Sequence, residues 1–214
     1  MNQHGSLLAV CRVHALAPDE GSVGVTAIDK RAITEPVKIN PYGLYADVQA
    51  DRKNHGGLHK AVYAYSQHDA DYWAKELGRE IAPGLFGENL RIDGLDANAA
   101  LIGERWQIGA KAVVEVTMPR TPCATFQRRM NEPHWVKRFT EAARIGAYLR
   151  VLQTGSIQAG DQISVLHRPA HEVSVGAWFS NPSLEKMHAM QADAGLELAP
   201  EYESLFAKLV RRGH

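Results

Sequence analysis

Cysteine is scarce in this chain, with only Cys11 and Cys123 among its 214 residues. Two thiols so far apart in the sequence do not form the repeated spacing of a disulfide framework, and no CxxC pair is present. We therefore expect two reduced thiols in a globular protein. Its core needs no covalent cross-link, because a chain of this length buries most of its apolar surface.

An excess of charge of one sign is also lacking, since 24 basic residues balance 24 acidic ones. Proteins that bind nucleic acid or anionic membranes over a wide surface are usually more basic, so we expect neither partner. The N-terminal apolar run, Leu7–Cys11, has no basic flank and is too short for a signal peptide or a membrane span. The sequence therefore predicts a cytoplasmic protein.

Short β-branched segments separated by glycine-rich turns are frequent before residue 168, which favours a barrel or sandwich over alternating βαβ units. The predicted strands are Leu7–Leu16, Gly24–Ile28, Glu35–Ile39, Ala61–Tyr65, Asn89–Ile92, Arg105–Ile108, Ala112–Met118, Ala147–Leu152 and Asp161–Leu166. The predicted helices in this part are one capped by Ser66 and ended by Gly78, and two at Ala124–Met130 and Pro133–Ala143.

The character of the sequence changes after Arg168. Three short helices are predicted there, at Val175–Phe179, Leu184–Ala194 and Glu201–Arg211. Acidic residues outnumber basic ones six to four in this part, whereas a helical module that binds DNA usually has an excess of basic residues. An apolar stripe in the last helix predicts a role in stability, partner docking or a homodimer; it comprises Tyr202, Leu205, Phe206 and Leu209. We therefore expect two units, residues 1–168 and residues 169–214.

Cys123 is the strongest chemical candidate. Two prolines fix the backbone of the loop Pro119–Cys123, and a helix is predicted to begin at the thiol. The helix dipole and the nearby Arg120 favour the thiolate, which is a soft metal ligand or a nucleophile. Cys11 lies within an alternating strand and is predicted to be a core residue.

Basic residues are concentrated near this loop, with seven of them and only two acidic residues between Pro119 and Arg150. We expect Arg120 and Arg150 to bind an anion, because one follows a strand at a proline-bounded turn and the other lies within a strand. The helical cations Arg128, Arg129 and Lys137 are expected to form a solvated face.

Two further motifs contain glycine beside polar side chains. In His55-Gly56-Gly57-Leu58-His59-Lys60, the glycines allow close approach of a ligand, and His55 and Lys60 can hold an anionic group. A zinc site at His55 and His59 requires a helix that the Gly-Gly pair opposes, and a plain turn remains the alternative. In Phe86-Gly87-Glu88-Asn89-Leu90, a carboxylate and an amide precede a strand, which also fits an ordinary turn.

In this order, the motifs resemble the MOSC family, named after the C-terminal domain of molybdenum cofactor sulfurases, and in particular its stand-alone YiiM-like members. One departure is Ile102-Gly103-Glu104, where relatives more often have Gly-Asp. The matching segments are His55-Gly56-Gly57 with Lys60-Ala61-Val62 and Tyr65, Phe86-Gly87-Glu88-Asn89-Leu90, Pro119-Arg120-Thr121-Pro122-Cys123, and Gly146-Ala147-Tyr148-Leu149-Arg150-Val151 leading to Gly160-Asp161.

This resemblance implies a MOSC-type β-barrel with peripheral helices, a small C-terminal three-helix module, and a pocket for molybdenum cofactor, a pterin dithiolene with a phosphate tail. It implies that Cys123 is the catalytic residue, which ligates molybdenum or carries sulfur. The cofactor-binding residues that it implies are His55, Gly56, Gly57, Lys60, Tyr65, Gly87, Glu88, Asn89, Arg120, Thr121 and Arg150.

The resemblance further implies reduction of N-hydroxylated compounds such as 6-hydroxylaminopurine. Electrons would come from a separate flavin or iron–sulfur reductase, because the chain has no room for such a domain. The alternative is a non-catalytic carrier of molybdenum cofactor or sulfane sulfur that uses the same Cys123. Pyridoxal phosphate is not expected, since no aminotransferase-like fold fits beside the barrel.

Overall fold

A computed structural model describes residues 3–212, apart from the side chains of Lys53 and Arg212. The strands are β1 (His4–Pro18), β2 (Val25–Ile33), β3 (Val37–Asn40), β4 (Gly43–Leu44), β5 (Val62–Ser66), β6 (Leu90–Asp93), β7 (Arg105–Ile108), β8 (Ala112–Pro119), β9 (Ala147–Gln153), β10 (Gly155–Ile157) and β11 (Gln162–His167). The helices are α1 (Arg52–His55), α2 (Gln67–Leu77), α3 (Ala124–Met130), α4 (Trp135–Ala142), α5 (Val175–Ser180), α6 (Leu184–Gln191) and α7 (Glu201–Arg212), with a 3₁₀ turn at Leu58–Lys60.

Seven strands form a closed barrel, which confirms the predicted architecture. Their order is β11-β7-β8-β9-β5-β6-β1, and antiparallel pairing of β11 with β1 closes the ring. Within the ring, β5 and β6 are parallel and the other pairs are antiparallel. Strand β2 extends the sheet beyond β1, and β10, β3 and β4 form a second small sheet. Closure leaves no unpaired strand edge within the ring.

Alternation of apolar side chains explains the barrel core, since Leu7, Val114 and Leu149 are fully buried. A cluster of aromatic rings packs α2, α3 and α4 together, with Trp73 and Trp135 at 4.5 Å and Phe126 and Phe139 at 5.0 Å between ring centroids. This cluster fixes the direction of α3, the helix that Cys123 precedes.

Several boundaries differ from the prediction for local reasons. Strand β2 continues past the predicted end at Ile28, because Lys30 and Arg31 pair in register with β1. Helix α4 begins at Trp135 rather than Pro133, because His134 has a left-handed backbone with φ of 53°. Ser66 precedes α2 as predicted but makes no capping hydrogen bond; its hydroxyl instead donates to Leu95 O and accepts from Ala97 N.

The three C-terminal helices form where the sequence predicts them, and they pack against the barrel. The Tyr202 hydroxyl donates to Thr117 O at 3.2 Å, and Tyr202 lies 5.2 Å from Trp178 between ring centroids. The apolar stripe of α7 is covered by its own chain, since Tyr202 and Leu209 are buried and the rest packs against the same core. The division at residue 168 and a homodimer stay predictions.

Between residues 3 and 212, no helix combines the length and the apolar character that crossing a membrane requires.

Candidate functional site

A cavity of about 660 Å³ lies between the hairpin that joins β1 to β2, the segment 47–55 and the start of α3. Its volume lies in the range of about 300–1,000 Å³ that is usual for small-molecule sites. All three motifs contribute to it. The predicted site residues that line it are His55, Lys60, Gly87, Asn89, Arg120, Thr121 and Cys123.

Cys123 is half-buried and precedes the first residue of α3, as the sequence predicts. Burial raises the pKa of its thiol, but a hydrogen bond with His55, the charge of Arg120 and the backbone N–H of Phe126 outweigh burial and lower the pKa to about 7. The cavity therefore contains a thiol that is substantially ionised at neutral pH.

Arg120 is the second notable group. Its side chain is almost fully buried, and its guanidinium carbon lies 3.9 Å from the centre of the Phe126 ring. Its buried Nη1 has no hydrogen-bond partner among residues 3–212. A buried charged donor without an acceptor is costly, so its presence on the cavity wall indicates a place for an anionic or acceptor group of a ligand.

His55 and Lys60 also line the cavity. His55 ends α1 and hydrogen-bonds Cys123, while the Tyr148 hydroxyl lies 3.5 Å from His55 Nδ1. The Lys60 ammonium donates to Asn54 O at 2.8 Å and lies 2.5 Å from Glu201 Oε1. Both side chains thus lie at the cavity with defined partners.

Asn89 and Gly87 shape the wall. The Asn89 amide accepts from Tyr63 N and donates to Cys11 O and Asp47 Oδ2, so its polar atoms are used within the protein. Gly87 has φ of 81°, and a Cβ atom there would lie 2.9 Å from Ile28 Cγ1. Glycine is therefore required by both the backbone conformation and the close approach of β2.

Arg150 does not line the cavity that contains Arg120 and Cys123, although it was expected to bind an anion and the resemblance implies a cofactor-binding role for it. Its Nε donates to Glu115 Oε1 at 2.8 Å, and its Nη1 bonds Glu197. Because Glu115 is its direct partner across β8 and β9, strand register directs this guanidinium to a carboxylate.

Glu88 and Tyr65 also lie outside the cavity lining. Glu88 is fully buried, accepts from Gly84 N at 2.8 Å and Phe86 N at 3.0 Å, and pairs with Arg91, so it shapes the loop that ends in Gly87. The Tyr65 hydroxyl donates to Arg144 O at 2.8 Å. Both side chains therefore have hydrogen-bond partners within the protein.

Gly56 and Gly57 support the cavity without lining it. Gly57 has φ of 93°, and its N–H donates to Gln49 Oε1 at 2.9 Å. A Cβ atom at Gly56 would lie 2.7 Å from the same oxygen. The two glycines therefore form a tight turn between His55 and Lys60. The same turn interrupts the helix between His55 and His59, so these two histidines do not lie on one face of a continuous helix.

Sequence reasoning missed the hairpin between β1 and β2, which forms part of the cavity wall. Arg128 holds it by bonding both carboxylate oxygens of Asp19, and Thr125 Oγ1 donates to Asp19 Oδ2 at 2.9 Å. Arg128 is exposed, as predicted for a solvated face, but it also lines the cavity, and Arg129 is half-buried and pairs with Asp29. No local pattern links residues so distant in sequence.

Tyr63 and Tyr148 were also missed as lining residues. Each lies in a strand, where a tyrosine is commonly a core residue with a polar tip. The signal that was available is their position at the motifs, since Tyr63 directly follows Lys60-Ala61-Val62 and Tyr148 lies within the segment 146–151.

Known proteins are similar to this chain in fold and in part of its sequence. The family model described as "MOSC domain" matches residues 51–164. A Bacillus subtilis protein named YflK is 33% identical over 150 residues, which cover 70% of this chain and 67% of that protein. A Gibberella moniliformis protein named "Reductase" is 33% identical over 162 residues, or 73% of this chain, but this chain spans only 29% of its length.

Among solved structures, that of YiiM from Geobacillus stearothermophilus superimposes with a TM-score of 0.72 at 23% identity, covering 95% of this chain and 98% of YiiM. At this level of identity the likeness establishes the fold.

Proposed function

This chain belongs to the MOSC domain family, and on that premise we propose that it is a molybdenum-cofactor-binding oxidoreductase that reduces N-hydroxylated compounds such as 6-hydroxylaminopurine. The observation that carries the proposal is the juxtaposition of Cys123, with a pKa of about 7, and the unpartnered Nη1 of Arg120 in one cavity. A relative named reductase supports a redox role.

The residues present fit the cofactor. A thiolate is a soft ligand, which suits a metal that is already bound by dithiolene sulfur. The buried Arg120 lacks an acceptor that a phosphate oxygen supplies, and Lys60 provides a second cation on the same cavity. The cavity volume of about 660 Å³ accommodates a pterin-sized ligand.

In this proposal Cys123 would hold the molybdenum through Sγ, and Arg120 and Lys60 would hold the phosphate. When bound, the cofactor supplies a metal centre that exchanges two electrons. His55 orients the thiolate through its hydrogen bond to Cys123, and Tyr148 lies within hydrogen-bond range of the same imidazole. Asn89 keeps the wall rigid through its three hydrogen bonds.

The overall reaction is R–NH–OH plus two electrons and two protons, giving R–NH₂ and water. The electrons come from a separate flavin or iron–sulfur reductase in this proposal. The N–O bond breaks, its oxygen leaves as water, and the nitrogen keeps its bond to the base.

A carrier of molybdenum cofactor or sulfane sulfur is the second candidate, favoured by the same half-buried, partly ionised thiol. Such a carrier would transfer its cargo without turnover of its own. Turnover of 6-hydroxylaminopurine with an artificial electron donor therefore separates the two functions.

The test combines metal analysis and pterin fluorescence of freshly prepared protein with this turnover assay. We expect stoichiometric molybdenum and pterin in the wild type, and most activity lost in Cys123→Ser while some cofactor remains bound through phosphate and pterin contacts. Full activity in Cys123→Ser would overturn the assignment of the thiol. Cofactor binding and transfer without turnover would favour the carrier.

A further inference from the structure

The C-terminal helices contact the cavity through an ion pair between Lys60 and Glu201. The two groups lie 2.5 Å apart, and the lysine side chain is only 9% exposed while the glutamate is 40% exposed. An ammonium has three donors. Glu201 Oε1 and Asn54 O occupy two of them, which leaves one for a ligand in the cavity that Lys60 lines.

This pair is anchored on both sides, unlike an ordinary surface ion pair. Glu201 precedes Tyr202, which is buried and bonds Thr117 O. Thr117 Oγ1 donates in turn to His59 O, in the 3₁₀ turn that carries Lys60. The segments that carry the carboxylate and the ammonium are therefore both hydrogen-bonded to the same strand, β8. The loss of conformational entropy on forming the ion pair is correspondingly small.

Lys60 and Arg120 consequently differ as anion-binding groups. Arg120 has no carboxylate within ion-pair distance in the described part of the chain, whereas Lys60 already has one. We propose that Glu201 is an internal counterion of Lys60 that lowers the affinity of the cavity for anionic ligands, so that Arg120 carries most of the attraction. This inference rests on the proposed function only in requiring that the cavity binds an anion.

The test measures binding of inorganic phosphate to the full-length, cofactor-free protein by isothermal titration calorimetry at low salt. Removing a carboxylate charge close to the ligand is expected to tighten phosphate binding in Glu201→Gln by about 5- to 30-fold. The matched control is Glu203→Gln, which removes the same charge from the exposed side of the same helix and should change the affinity by less than about twofold.

A double-mutant cycle assigns the effect to the pair. In a Lys60→Met background, Glu201→Gln should no longer tighten binding. Equal affinities of Glu201→Gln and Glu203→Gln, weaker binding in Glu201→Gln, or no phosphate binding in either the wild type or Glu201→Gln would each overturn the counterion role. Because phosphate binding needs no cofactor, failure of the turnover assay leaves this result standing, and an unchanged affinity with turnover intact overturns this inference alone.

Discussion

The two cysteines of this chain occupy opposite environments within one barrel. Cys11 lies on β1, is fully buried, and has a pKa raised to about 12, chiefly by burial. Cys123 lies at the cavity and has a pKa of about 7, since polar neighbours outweigh its partial burial. The comparison teaches that burial alone makes a thiol inert, whereas burial combined with donors and a cation makes it reactive.

The neighbours that ionise Cys123 come from three separate segments. His55 ends α1, Arg120 belongs to the loop after β8, and the Phe126 N–H belongs to α3. Around Cys11, by contrast, Glu88 raises the pKa of the thiol further, while Arg91 and Lys30 lower it too little to offset burial. The difference between the regions is therefore one of assembled polar contacts.

The sharpest test of this comparison is alkylation of the native protein by iodoacetamide at pH 7. The pKa values of about 7 and about 12 imply a ratio of thiolate populations on the order of 10⁴–10⁵. Mass spectrometry should find the label on Cys123 alone, with half-maximal rate near pH 7, and on Cys11 only after denaturation. Equal labelling of both thiols would contradict the difference in thiol pKa between Cys11 and Cys123.

The substitution Arg120→Gln tests the comparison of the two cysteines further. It removes a cation that stabilises the Cys123 thiolate, and it also removes the buried donor that lacks a partner. Charge-assisted hydrogen bonds contribute about 1.5–3 kcal/mol, so we expect anion binding to weaken by roughly 10- to 150-fold. The alkylation profile of Cys123 should shift to higher pH. Arg129→Gln is the control, since this arginine pairs with Asp29 outside the cavity lining.

Cys11→Ser should cost on the order of 1–3 kcal/mol of stability and leave N-reductive activity unchanged, because a hydroxyl replaces a thiol in a dry core. Urea unfolding at pH 6 measures the loss. Cys123→Ser is the reciprocal variant and should affect activity far more than stability at that pH. A loss of activity in Cys11→Ser with a normal unfolding midpoint would contradict the separation of roles.

The smallest expected effect is a dependence of stability on pH. The folded pKa of Cys123 lies below the ordinary pKa of 9.0 for a cysteine thiol, so its ionisation stabilises the folded state fully above pH 9. This contribution is lost as the pH falls through about 7. We expect the wild type to gain about 1–2 kcal/mol over Cys123→Ser between pH 6 and 9, after allowing for solvent screening of a half-buried group. Parallel pH profiles of the two proteins would exclude the shift.

The motifs could be located from the sequence because their chemistry is local. Prolines around Arg120 and Thr121 restrict a loop, and the helix that follows Cys123 begins at the predicted residue, Ala124. The two short strands β4 and β10 and the short helix α1 were missed, because so few residues carry no periodicity.

Arg120 and Arg150 show where sequence reasoning ends. Both are arginines beside apolar strand residues, and both were expected to bind an anion. The pairing of β8 with β9 places Arg150 opposite Glu115, while Arg120 emerges after β8 and packs on Phe126 without a carboxylate. A shift of one residue in that register would exchange the faces of the strand.

The sequence by itself determined the short strands, the proline-bounded loop, the thiol at the start of a helix and the glycines that allow tight turns, because each depends on neighbours within a few residues. Tertiary structure alone decided which charges meet: Asp19 with Arg128, Glu197 with Arg150, and Glu201 with Lys60. The reason is physical, since these pairs join segments that are distant along the chain. The packing of α3 beside the hairpin between β1 and β2, and of the C-terminal segment against the barrel, brings them within reach and so determines which cation is left for a ligand.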